Sequence, residues 1–216
     1  MISKANAQVR SNLAVHHMMA AAYSARKVWE LETVHASEPF GDFFHEIMWN
    51  VTGTVFFAVA ALEADVNEIF IDYEVNFPWH DRDVVNKMWE LMEMKTILEK
   101  YDLALFLRTK QRLDKGVASW NDVDGLIKLR NLLVHFKPEW SHEQVEHAKI
   151  EKRLERKFEL SPFLPEGDTF FPKRVMSHGC AAWAVRTAVI FRDAFSTTAG
   201  IANRFEPYNS RLKTKE

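Results

Sequence analysis

The sequence predicts an all-α fold, an up-and-down helical bundle of long helices in a single domain spanning 1–216. Three observations carry this. Glycine and proline number only 7 each in 216 residues, too few for a chain built from many strands and turns. Apolar residues make up 47% and aromatics 12%, which supports a sizeable core and argues against disorder. Apolar positions recur at helical spacing over long stretches rather than alternating.

The elements follow in order. Segment 5–32 has no Pro or Gly and is rich in Ala, Met and Leu, so it is the first helix. His16 and His17 lie on it about 100° apart, so they do not share one metal-ligand position. Ser37, Glu38, Pro39, Phe40, Gly41 and Asp42 are turn chemistry, with Asp42 as a cap. A long helix over 43–75 carries one apolar stripe: Ile47, Val51, Val55, Val59, Leu62, Val66, Ile69 and Phe70. At 1.5 Å per residue it would be about 50 Å long. Gly53 and its small neighbours allow close helix approach. Glu63 and Asn67 share a face one turn apart. They point to solvent or approach the polar cluster described below. Helices over 83–95 and 96–108 follow, then a polar connection over 109–119. Ser141 with Gln144 is a capping-box pattern opening a charged helix to about 158. That helix reads either as a solvated face or, through Lys149, Lys152, Arg153, Arg156 and Lys157, as a phosphate-attracting patch. The last long helix covers 181–199, packing through Trp183, Val185, Ala188, Val189, Phe191 and Phe195. The bundle core is thus 43–199, and 204–216 is expected to be a frayed polar tail.

Composition narrows the function classes. The net charge of −2 provides no global basic field for nucleic acid, although a local cleft is compatible with it. A single cysteine, Cys180, excludes an internal disulfide and fits a reducing, cytoplasmic setting. The start, MISKANAQVRSN, predicts no signal peptide. The longest apolar run, 51–62, is too short to span a bilayer, so no membrane association is expected. No Gly-rich phosphate loop, dinucleotide fingerprint, HExxH motif or serine elbow is present. His178 and Cys180 alone do not make a zinc site. No cofactor and no metal are expected.

The stretch that organises the chain is 122–138, DVDGLIKLRNLLVHFKP. Val123, Leu126, Ile127, Leu129, Leu132, Leu133 and Val134 repeat at helical spacing, interrupted by Arg130, Asn131 and His135. Burying an arginine costs several kcal/mol unless it is paired or solvated, so packing alone does not explain this trio. Pro138 is expected to end the helix. Asn131 lies one turn before His135 and shares its face. Arg130 and His135 are about 140° apart on an ideal helix and do not meet within one chain. Asp124 either holds the Arg130 guanidinium or serves as a helix-start residue beside Asp122.

Arg130-Asn131-Leu132-Leu133-Val134-His135 resembles the R-x4-6-H motif of the HEPN superfamily, with Asn131 as the polar residue after the arginine. The run 43–195 looks like bacterial HEPN-like proteins, though only the R-x4-H stretch is specific. The resemblance implies a homodimer with both motifs at one cleft. It also implies a metal-independent endoribonuclease, in some members a toxin or phage-defence protein paired with a nucleotidyltransferase-like antitoxin. Other members are non-catalytic modules that bind a nucleotide or a partner protein.

The chemistry suits those residues. Cleaving RNA without metal needs a base for the 2′-hydroxyl, an acid for the leaving 5′-oxygen, and positive charge at the phosphorane. His135 is the candidate base or acid, since histidine as a residue type carries protons near neutral pH; Arg130 is the candidate phosphate contact, since a guanidinium matches phosphate oxygens; Asn131 orients the imidazole or substrate. A symmetric dimer supplies His135 and Arg130 twice, answering the need for two proton carriers. Asp124, Glu63 and Asn67 are the candidate substrate-side residues. Phe136 and Trp140 offer rings on which a base can stack.

Overall fold

The computed structural model describes residues 10–215, and within them every regular element is helical. Of the expected first helix over 5–32, residues 5–9 lie outside the described residues, and 10–13 are described but not helical, so the helix starts later than its composition suggested. Helix α1 runs over Ala14–Val34 and α2 over Phe43–Ile71. They pack on each other along their lengths through Ala14, Met18, Ala21, Ala22, Ala25 and Val28 on α1. Alanines on that face bring the two backbones close, and Thr54 Oγ reaches the α1 carbonyl of Ala21 at 3.4 Å. All eight apolar residues of the α2 stripe are buried.

Helix α2 stops at Ile71, short of the expected 75, and a separate turn α3 (Tyr73–Asn76) follows. Two side chains explain the break. Asn76 turns back, and its Nδ2 donates to the carbonyl of Ile69 at 2.9 Å, occupying an acceptor that a continuing helix would use. Asp72 is drawn out of helical register by Arg10, at 2.7 Å, and by Arg204. Helix α4 spans Arg82–Met92, capped by Asp81, and α5 spans Ile97–Thr109. A capping box between Thr96 and Glu99 fixes the start of α5.

The organising helix, α6, covers Ala118–Val134, and α7 covers Glu146–Leu154. A π-turn over Phe170–Arg174 leads into α8, His178–Ala199. Ser177 caps α8, and Gly200 closes it in the left-handed conformation that glycine tolerates. A Cβ on Gly179 would sit 2.3 Å from the Glu159 carbonyl oxygen, so only glycine lets that backbone cross here. Helices α2 and α8 share the centre, packing on each other and each against α1, α5 and α6.

The segment after α8 is not frayed. Phe205 and Leu212 are buried, a 3-10 helix forms over Glu206–Arg211, and Arg204 pairs with Glu68 and Asp72. The polarity of 204–216 suggested a loose tail; among the described residues, two apolar anchors and one arginine hold 204–215 down.

A charged group sits within the core. Asp65 and Arg192 are both fully buried and meet at 2.5 Å. Tyr101 donates to Asp65 Oδ2 at 2.8 Å, and Arg192 Nη2 donates to the Ala202 carbonyl at 2.8 Å. This set joins α2, α5, α8 and the closing segment. Burial pushes the Tyr101 hydroxyl well above the usual tyrosine range. No helix among the described residues is long and apolar enough to cross a membrane.

Candidate functional site

Helix α6 ends earlier than Pro138 dictates. Val134 is its last residue, and His135 sits at φ −105° and ψ 40°, its N–H still bonded to the Asn131 carbonyl at 2.9 Å. The chain leaves the helix at His135, so the imidazole stands at a helix end rather than on a helical track. Pro138 lies in the irregular connection that follows.

Helix α7 also differs from the sequence expectation. It begins at Glu146, not near Ser141, because a different side chain takes its free N–H groups. Glu139 accepts from Val145 at 3.0 Å, Glu146 at 3.0 Å and His147 at 3.1 Å. Those bonds, with Glu146's first, outweigh burial and lower the Glu139 carboxyl below its ordinary range. The helix stops at Leu154, and Arg156 takes the left-handed conformation soon after. His147, Ile150 and Leu154 are its buried stripe. The His147 ring packs on Phe136 and edge-on to Phe171, and its Nε2 lies 3.1 Å from the Lys137 carbonyl.

Between α6 and α7 lies a groove of about 810 Å³. Asn131 and His135 open onto it from α6 and its end. Facing them on α7 are Lys149, Lys152 and Arg153, with Lys128 and Lys137 completing five cations against one acid, Glu146. In a chain of net charge −2 this is a strong local excess of positive charge. Part of it is neutralised. Asp124 accepts from Lys128 at 2.9 Å and also holds Arg153, while Glu146 pairs with Lys149 at 2.6 Å. Lys137 and Lys152 carry no ion pair among the described residues. Close approach of α6 and α7 is what lets Asp124 reach Arg153. Gly125 eases it: a Cβ there would lie 3.2 Å from Leu154 Cδ2, which would have to give way slightly.

The sequence-derived residues therefore separate. Asn131 and His135 share the groove. Arg130 does not line it; the side chain is half-buried, and its Nε is buried without a hydrogen-bond partner. Asp124 grips a guanidinium, but that of Arg153. Glu63 and Asn67 neither face open solvent alone nor reach the groove. They hold the buried Lys100 ammonium at 3.5 and 3.2 Å, over the Trp89 ring. Of the expected basic patch, Lys149, Lys152 and Arg153 on α7 line the groove, whereas beyond the helix Arg156 pairs with Glu155 at 3.5 Å and Lys157 with Asp122 at 2.7 Å. Phe136 and Trp140, in the connection between the two helices, are exposed, Trp140 to 75%.

Sequence reasoning missed His147, Lys137 and Lys128 as groove residues. A signal existed for His147, which stands with Ile150 and Leu154 at i, i+3 and i+7 on an otherwise charged helix. The lysines gave none, since their placement depends on how α7 packs. Among the described residues no group of three or more His, Cys, Asp or Glu gathers as a metal would require. No protein-family model matches this chain, no characterised protein matches it, and no solved structure matches its fold.

Proposed function

We propose that this chain is a metal-independent endoribonuclease of HEPN type, working in the cytoplasm as a homodimer, with the α6–α7 groove as its RNA-binding surface. The observation that carries the reading is His135 beside Asn131 at the mouth of a groove whose cations outnumber its acids. His135 takes the 2′-hydroxyl proton; the 2′-oxygen attacks phosphorus and the bond to the 5′-oxygen breaks. An imidazolium returns a proton to that 5′-oxygen, leaving a 2′,3′-cyclic phosphate and a 5′-hydroxyl. Lys152, Lys137 and Arg153 meet the phosphate charge. Arg130 has no carboxylate partner among the described residues, and it serves the phosphorane from the second protomer's side of a shared cleft. The biological setting that fits the resemblance is a toxin or defence protein restrained by a nucleotidyltransferase-like antitoxin.

A second reading has its own support. Three of the five groove cations are already satisfied by Asp124 and Glu146, and Arg130 lies off the groove. Those features suit a non-catalytic dimeric HEPN module that binds a nucleotide or a partner protein.

One experiment separates the two. The purified protein is incubated with single-stranded and transfer RNA in excess EDTA, beside His135→Ala. The nuclease reading expects cyclic-phosphate ends and a loss of at least about 100-fold in the variant. Because His135 is exposed and lies outside the helix, the variant is expected to fold normally. Binding of RNA without cleavage, unchanged in His135→Ala, overturns the nuclease and supports the module.

A further inference from the structure

Most clustered cations in this protein face a carboxylate: Lys128 and Arg153 face Asp124, Lys149 faces Glu146, and Arg204 faces Glu68 and Asp72. One cluster does not. Arg26, Arg186, Arg211, Lys213 and Lys215 gather around the closing segment, and none of them is ion-paired among the described residues. Arg26, Arg211, Lys213 and Lys215 line a pocket of about 440 Å³ between α1 and that segment, together with Tyr23 and Ser210. Lys213 also borders the adjoining pocket, where Arg186 stands.

The pocket is built, not a chance gathering of mobile lysines. Arg26 Nη1 donates to the carbonyls of Arg211 at 3.1 Å and Lys213 at 2.6 Å. His178 Nε2 lies 3.0 Å from the Thr214 carbonyl, and Leu212 is buried. The backbone is thus pinned on both sides of Lys213. Arg26 is spent on carbonyls only through Nη1, so its Nε and Nη2 N–H groups remain for another acceptor.

We propose that this pocket binds a compact phosphate-rich anion, a soluble small molecule with two or more linked phosphates. Arginine and lysine supply bidentate and point-charge contacts. The Tyr23 and Ser210 hydroxyls add neutral donors. A volume of 440 Å³ falls in the range of small-ligand pockets and is too small for a helix or a duplex. The site is separate from the α6–α7 groove and does not depend on the nuclease reading.

The test is isothermal titration calorimetry of the full chain with sodium tripolyphosphate at fixed ionic strength, with monophosphate and sulfate alongside. Saturable 1:1 binding is expected for tripolyphosphate, with the two smaller anions weaker. The double variant Arg211→Glu, Lys213→Glu is expected to weaken it at least about tenfold. Both side chains are exposed, and circular dichroism confirms folding; Lys215→Glu alone is the fallback, with a smaller loss. The groove pair Lys149→Glu, Lys152→Glu leaves the affinity unchanged. No saturable heat with tripolyphosphate overturns the proposal. So does binding that survives the closing-segment variants, or binding that is lost in the groove pair. Tight co-sedimentation with phosphatidylserine vesicles that tripolyphosphate does not displace overturns it in favour of a membrane surface.

Discussion

Asp124 faces two cations at once, Lys128 on its own helix and Arg153 on α7, and so sets how much of the groove's charge is available to a ligand. Asp124→Asn removes one negative charge from the groove wall and keeps the shape. If phosphates lie in the groove, RNA affinity at low salt rises, and the slope of log affinity against log salt steepens by about one. Filter binding across a salt series reads this directly; an unchanged slope means that RNA contacts another face. Any stability change is small, because the pair is partly exposed and screened by solvent. At this scale the sequence was half legible. Asn131 and His135 could be found because polar residues interrupt a strictly apolar repeat. Arg153 could not be assigned to Asp124, because residues so far apart in the chain meet only once α7 has packed and Gly125 has let it come close.

Element boundaries show where local signals compete. The sequence signal for the start of α7 is Ser141 with Gln144, and nothing in the local pattern points to Glu139. Glu139 prevails because one carboxylate offers two oxygens to three consecutive N–H groups. A pH dependence follows. The folded-state pKa of Glu139 is lowered, so its contribution is fully present above the unfolded value of about 4.3 and is lost as pH falls through the folded one. Hydrogen exchange corrected for intrinsic rates is therefore expected to show the Val145, Glu146 and His147 amides opening as pH drops below that range. Glu139→Gln is expected to show weakened protection already at neutral pH. Protection independent of pH in both proteins would remove Glu139 as the cap. The end of α2 teaches the same lesson. Nothing in 71–75 breaks a helix by propensity; Asn76 and two arginines, one of them in the closing segment, break it through tertiary contacts.

For the whole molecule, the helical class and the α2 and α8 core stripes were legible because burial follows periodicity, and each predicted α2 stripe residue is in the core. The group that ties the layers together was not. Asp65 and Arg192 sit amid apolar neighbours with no sequence signal that they pair, yet both are fully buried in contact. Removing one partner strands the other charge in the core, at a cost of about 3–5 kcal/mol. Arg192→Met is therefore expected to lose stability of that order in urea unfolding. It also frees the Ala202 carbonyl, which loosens the closing segment and with it the Arg26 contacts. The double variant Asp65→Leu, Arg192→Met leaves no stranded charge and is expected to recover much of the loss, since one Asp65 oxygen lacks a partner even in the intact pair. Tyr101 then loses its acceptor in Asp65 but keeps the Leu62 carbonyl at 3.1 Å, so the recovery is partial. A double variant as unstable as either single one would mean that the pair stabilises the fold by more than its desolvation costs. In that case the charges themselves, rather than the apolar layers around them, hold α2, α5 and α8 together.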